Sequence, residues 1–271
     1  MSAGYLHELS WLDLAIATSL ILINGAISLA LQLRLEKKLA IAALRTILQL
    51  LAIGTILGWV FAVNRWYVVL AILAIMTLIA GRAAGQRGSW NYKGMGIDSI
   101  LSVWGSSWLV TAIGLFVVLR IDPWYKPQYA VPILGMILGN TLTGVALGLE
   151  RITGELRARR EQIETLLALG ATRWEAFRPP AQAAVRAGMM PVINAMSVVG
   201  IVSLPGMMTG QVLAGQAPDA AIRYQIVIMF LITAASGLGT VSVVLMVFKR
   251  LFSADHHFLY WRLLDARGKA E

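Results

Sequence analysis

Glu164 to Pro180 reads E-T-L-L-A-L-G-A-T-R-W-E-A-F-R-P-P, a long polar and amphipathic segment set between hydrophobic runs. It reads as two short helices joined by a sharp bend. Gly170 closes the first, because glycine enters the left-handed conformation at no steric cost. Thr172, followed three residues later by Glu175, is a capping box, so a second helix starts there. Pro179 and Pro180 are expected to stop that helix, since neither ring nitrogen can donate a hydrogen bond. The segment is either an ordinary surface loop or a bent helical knob shaped for docking.

The surrounding composition says what such a knob projects from. Of the 271 residues, 58% are hydrophobic and only 14% are charged. Soluble globular chains carry roughly 25% charged residues. Several apolar runs reach the ~20 residues needed to cross a bilayer. The chain therefore reads as an all-α, polytopic membrane protein with one domain, residues 1–271. The net charge is +9. The basic residues cluster at the ends of apolar runs, which suits membrane lipid headgroups and not nucleic acid. There is no cysteine, hence no disulfide and no thiolate metal site. The N-terminus lacks a basic region ahead of its first apolar run, so no cleavable signal peptide is expected.

Seven spans are expected: about Leu12–Leu33, Leu39–Val63, Trp66–Ala84, Ile97–Leu119, Tyr129–Leu149, Ala181–Ala214 and Ile222–Phe248. The fifth carries two G-x-x-x-G pairs, Gly135–Gly139 and Gly144–Gly148, a spacing that lets helices approach closely in lipid. The sixth is interrupted at Pro191 and again at Pro205-Gly206. Placing the N-terminus outside leaves 18 Lys and Arg in the inner segments and 3 in the outer links, Arg65, Arg120 and Lys126. The positive-inside rule then sets the N-terminus outside and the C-terminus in the cytoplasm, with the polar segment of residues 150–187 cytoplasmic.

Catalytic motifs are missing. There is no phosphate-binding loop, no G-x-S-x-G and no H-E-x-x-H. His7, His256 and His257 lie near the termini. The chain is not read as an enzyme; any ATP it uses is hydrolysed by another chain. What remains is polar residues at membrane depth. Arg45 and Gln49 share a face of the second span, either as donors along a solute path or with Arg45 snorkelling to lipid phosphates. Asn140 and Asn194 each sit within a span, where a path or an interhelical hydrogen bond explains them. Asp98 reads as a charge at a helix N-terminus. In S-L-P-G-M-M-T-G, Ser203 to Gly210, Pro205 and Gly206 should break the sixth span, and such a break survives in lipid only beside protein or a water-filled cavity. Met207 and Met208 at that point serve as adaptable packing or touch a soft metal ion. No tight metal site can be read.

The knob, S-L-P-G-M-M-T-G and G-M-I-L-G-N-T-L-T-G-V of the fifth span together resemble the FetB-type permeases, iron-export ABC transporter subunits of bacteria with relatives linked to aluminium tolerance in plants. The resemblance is strongest from about Val131 to Phe248. The knob also resembles the coupling motif of ABC importers, in which a Glu precedes a Gly by six residues as Glu164 precedes Gly170. Thr165 and Leu166 depart from the two alanines of that motif. The resemblance implies a homodimeric permease in the bacterial inner membrane, exporting iron or another metal. A separate cytoplasmic ATPase would carry ATP and Mg, with no cofactor in this chain. Glu164, Leu167, Gly170, Thr172, Trp174, Glu175 and Phe177 would form the ATPase-coupling segment, with Trp174 and Phe177 as aromatic anchors. Arg45, Gln49, Asn140, Asn194, Ser203, Pro205, Met207 and Met208 would belong to the translocation path. An importer permease and a non-transporting membrane adaptor are the alternatives.

Overall fold

The computed structural model describes residues 10–86 and 90–265. The N-terminal segment, where no cleavable signal is expected, lies outside them. Nine α-helices account for most of the described residues: α1 Trp11–Ala30, α2 Glu36–Val63, α3 Trp66–Gly85, α4 Met95–Ala112, α5 Pro127–Ala158, α6 Arg160–Ala168, α7 Arg173–Val198, α8 Gly206–Leu213 and α9 Pro218–Leu251. A π-helical stretch, Ile113–Val118, prolongs α4. One departure from the all-α expectation is a two-stranded antiparallel sheet of β1, Trp90–Tyr92, and β2, Leu263–Asp265. It ties the loop after α3 to the C-terminal tail and buries Tyr92.

Five helices are long and apolar enough to cross a membrane: Glu36–Val63, Trp66–Gly85, Met95–Val118, Pro127–Ala158 and Pro218–Leu251. The protein is thus a multi-pass membrane protein. The first expected span corresponds to α1, with a shorter apolar stretch, Ala15–Ala30. The sixth is divided between α7 and α8.

α5 is the central post, packed against α3, α4, α7 and α9. Burial extends around most of α5: Ile133, Ile137, Thr141, Gly144, Gly148, Ile152 and Leu156 form one buried row, and Leu134, Leu138, Val145 and Leu149 another. Glycines set the spacing where α5, α7 and α9 meet. A Cβ on Gly188 would stand 2.5 Å from Thr240 Cγ2 and 2.6 Å from the Gly144 carbonyl oxygen. Of the two G-x-x-x-G pairs, Gly144–Gly148 lies in this seam, while Gly139 has nothing near where a side chain would stand. α1 and α2 pack on each other and barely touch the rest. The Ser28 hydroxyl closes their turn, donating to Glu36 Oε2 at 3.0 Å and accepting from the Leu35 amide at 2.9 Å. Most of their large apolar side chains face outward, as lipid-facing helices require.

Candidate functional site

The bend in Glu164–Pro180 is built from two complete caps placed back to back. α6 ends at Ala168, and Gly170 has φ +92°. The Gly170 amide donates to the Leu167 carbonyl at 3.1 Å and the Ala171 amide to the Leu166 carbonyl at 3.0 Å. This pair of bonds is the Schellman arrangement, which satisfies carbonyls a helix end would leave open. Thr172 then caps α7: the Glu175 amide donates to Thr172 Oγ1, and the Thr172 amide donates to Glu175 Oε2 at 2.8 Å. The Thr172 hydroxyl, with its backbone amide, holds the Glu175 carboxyl below the usual glutamate range. Glu164 is exposed and accepts from Arg160 Nε at 2.9 Å within α6.

The expectation that Pro179 and Pro180 stop the second helix is corrected. α7 runs unbroken from Arg173 to Val198 with Pro179, Pro180 and Pro191 inside it. The reason is tertiary. Phe177, Pro180, Ala181, Ala184, Gly188 and Val192 are buried along one stripe that continues through the proline pair. Packing on both sides of the missing donors holds the axis, and the proline φ is itself helical. The knob and the main part of the sixth span are therefore one helix.

The start of α7 rests on an aromatic cluster. Phe177 is 0% exposed. Its ring lies 4.9 Å from that of Phe248 and 5.4 Å from that of Phe252. Phe252 stacks on Phe258 at 5.0 Å. Trp174, 45% exposed, meets Phe248 edge-on at 5.4 Å. Phe177 is thus the seat under the knob, and Trp174 belongs to its outer face with Leu166 and with Leu169, which is 80% exposed. Leu167 is turned partly into the core. The C-terminal tail completes the seat. The Arg173 amide donates to His256 Nδ1 at 2.9 Å, and the Arg173 guanidinium donates to the Ser253 carbonyl at 3.0 Å. Arg160 lies over the Tyr260 ring at 3.2 Å. Nothing local in the sequence announces these partners; the only signal is that the tail after α9 keeps Phe252, Phe258, Tyr260 and Trp261.

At its far end α7 gives way to an irregular stretch, residues 199–205. Gly200 has φ +83°, and its amide donates to the Ser203 carbonyl at 2.9 Å. Pro205 caps α8, so the helix breaks where Pro205-Gly206 said it should, while Pro191 causes no interruption. Ile201 is 89% exposed. Behind the break, α7, α8 and α9 enclose a cleft of about 450 Å³. Met196, Met208, Met229 and Gln225 line it. The buried Gln225 Oε1 has no hydrogen-bond partner among the described residues. Met207 packs partly on the core, and Ser203 is exposed.

The other polar residues of the expected path do not converge on this cleft. Arg45 and Gln49 are exposed on α2. Asn194 is exposed on α7, and Asn140 is exposed on α5, where its amide donates to the Met136 carbonyl at 2.9 Å. Among the described residues no cluster of three His, Cys, Asp or Glu could hold a metal ion. Asp98 is not a simple helix-end charge. It is 3% exposed, pairs with Arg250 at 3.0 Å, and accepts from the Tyr92 hydroxyl at 3.0 Å. Burial, with the Asp98 carboxylate beside it, pushes the Tyr92 phenol well above its ordinary value.

The chain is similar over residues 11–252 to an uncharacterised protein family, UPF0014. It is 41% identical over 257 residues to the UPF0014 membrane protein slr1647 of Synechocystis, covering 94% of this chain and 98% of that one. It is 33% identical over 225 residues to the UPF0014 membrane protein STAR2 of Oryza sativa, covering 83% and 78%. It is 28% identical over 257 residues to the probable iron export permease protein FetB of Escherichia coli, covering 95% and 98%. No solved structure matches the chain. A match that runs from α1 to the end of α9, through the capped bend and the broken helix alike, places this chain in the UPF0014 family.

Proposed function

We propose that this chain is the membrane-spanning permease subunit of an ABC transporter that exports iron or another metal ion. The ATP and Mg are held by a separate cytoplasmic ATPase. The reading that this is a permease draws on the FetB relative, named a probable iron export permease. The observation that carries the coupling mechanism is the continuity of α7. Its 26 residues make a rod about 39 Å long. One end bears the capped bend with Leu166, Leu169 and Trp174 exposed, and the other ends at the break before Pro205. An ATPase that grips the bend moves the rod, and residues 199–205 absorb the displacement.

In this reading α1 and the α7–α8 pair join the five longer helices to make seven spans. The N-terminus is outside the cell, the bend is in the cytoplasm and the membrane is the bacterial inner membrane. The whole chain is one permease domain, and two copies pair with two ATPases. Trp174 and Leu169 enter a pocket of the ATPase, as exposed aromatic and aliphatic anchors do at protein interfaces. Glu164, Gly170, Thr172 and Glu175 hold the shape. Met207, Met208 and Ser203 lie at the gate, and Asn140, Asn194, Arg45 and Gln49 face the path only once a second copy closes it.

Co-purification tests the proposal. The double variant Leu169→Asp, Trp174→Ala should insert and fold, with at most a modest loss of stability from the Trp174–Phe248 contact, yet lose the ATPase. Retention of the ATPase by a well-folded double variant overturns the coupling role of the bend.

A further inference from the structure

A second surface lies at the same end of the bundle. There the start of α4, the end of α9 and the tail enclose a cleft of about 600 Å³. Lys93, Arg250 and Arg262 line it, with Gly94, Ile97 and Trp261. One of the three cations is already balanced. Arg250 spans the buried Asp98 carboxylate, with Nη2 at 3.0 Å and Nε at 3.2 Å. Its guanidinium lies so close over Gly94 that a Cβ there would stand 3.1 Å away. Arg262 donates to the Arg250 carbonyl at 3.0 Å. Neither Lys93 nor Arg262 pairs with a carboxylate among the described residues. Among the described residues, two of the cleft's positive charges therefore have no carboxylate partner.

Its open side is apolar and leads along a membrane helix. Ile97 is 60% exposed, and Leu101 and Trp104 continue the exposed stripe of α4 at helical spacing. Trp261, also exposed, stands at the rim. α4 and α9 are both long enough to cross a membrane, and the cleft sits where one begins and the other ends. Paired cations at a membrane boundary, joined to an apolar stripe running into the bilayer, match a phosphate headgroup with its acyl chain. A soluble phosphate would use the cations and leave the stripe idle.

We propose that the cleft between the α4 N-terminus, the α9 C-terminus and the tail is a binding site for one anionic phospholipid. Lys93 and Arg262 hold the phosphate, and Ile97, Leu101 and Trp104 carry an acyl chain. The site is separate from the coupling bend and does not depend on what is transported.

The test uses the full chain in neutral detergent, with native mass spectrometry after adding phosphatidylglycerol or phosphatidylcholine at equal concentration. The parent should retain one phosphatidylglycerol per chain in preference to phosphatidylcholine. Lys93→Gln with Arg262→Gln should weaken retention roughly tenfold or more. Ile97→Ser with Leu101→Ser, which leaves the cations in place, should weaken it as well. Arg34→Gln with Lys37→Gln, at the α1–α2 turn, should leave it unchanged. Inorganic phosphate at millimolar concentration should not displace the lipid. Equal retention of the two lipids, no loss in either site variant, equal loss in the α1–α2 control, or displacement by phosphate would each overturn the proposal.

Discussion

The two ends of α7 are built in opposite ways. At the bend, every cap is complete, Phe177 is fully enclosed, and the C-terminal tail adds two hydrogen bonds to Arg173. At the break, Gly200 takes a left-handed turn, Ile201 and Val202 project outward, and α8 has no buried residue. In the proposed coupling, such a rod passes movement from its fixed end to its yielding end. Had the proline pair ended the helix, the bend and the break would not share one rod.

The contrast can be broken most severely at the middle of the rod. Gly188→Leu would push a side chain into the Thr240 side chain and into the Gly144 carbonyl, which as backbone cannot swing aside. No folded monomer should be recovered, by gel filtration in detergent. At the bend, Phe177→Ala should cost about 3–5 kcal/mol, because the cluster of Phe248 and Phe252 cannot collapse into the space. Thermal or denaturant unfolding measures it. Thr172→Ala removes the cap and should cost about 1 kcal/mol. Ile201→Ser at the break should change stability by no more than about 0.5 kcal/mol. A cost there equal to that of Phe177→Ala would mean the two ends are alike.

The capping box adds a pH dependence at the bend alone. The Glu175 carboxyl sits below its usual range in the folded protein, through its bonds to Thr172. Its contribution is therefore present at neutral pH and is lost as the pH falls through and below the ordinary glutamate range. The melting difference between the parent and Glu175→Gln should be largest at neutral pH and close in acid. A difference that persists unchanged in acid would place the origin elsewhere.

Local features were legible in the sequence and long-range ones were not. Gly170 and Thr172–Glu175 act within five residues, so their caps could be read directly, as could the break at Pro205-Gly206. The effect of Pro179-Pro180 depended on the buried stripe from Phe177 to Val192, which no local rule contains. Phe177 looked like an anchor because Phe248, Phe252 and Phe258 are distant in the chain. Asp98 looked like a helix-end charge because Arg250, 152 residues away, is its partner. Apolar periodicity located the membrane helices, yet α2 and α5 both pass as spans by hydropathy while only α5 is a core helix. The Gly144–Gly148 spacing hinted at that difference, but hydropathy did not show it.

Force applied at the bend should reach the break. The chain has no cysteine, so Ile201→Cys accepts a single spin label without background. In the complex with the ATPase, the mobility of that label should change on adding ATP, and the change should vanish when Trp174→Ala is added. A label that ignores ATP, or one that responds equally with Trp174 removed, would contradict the account.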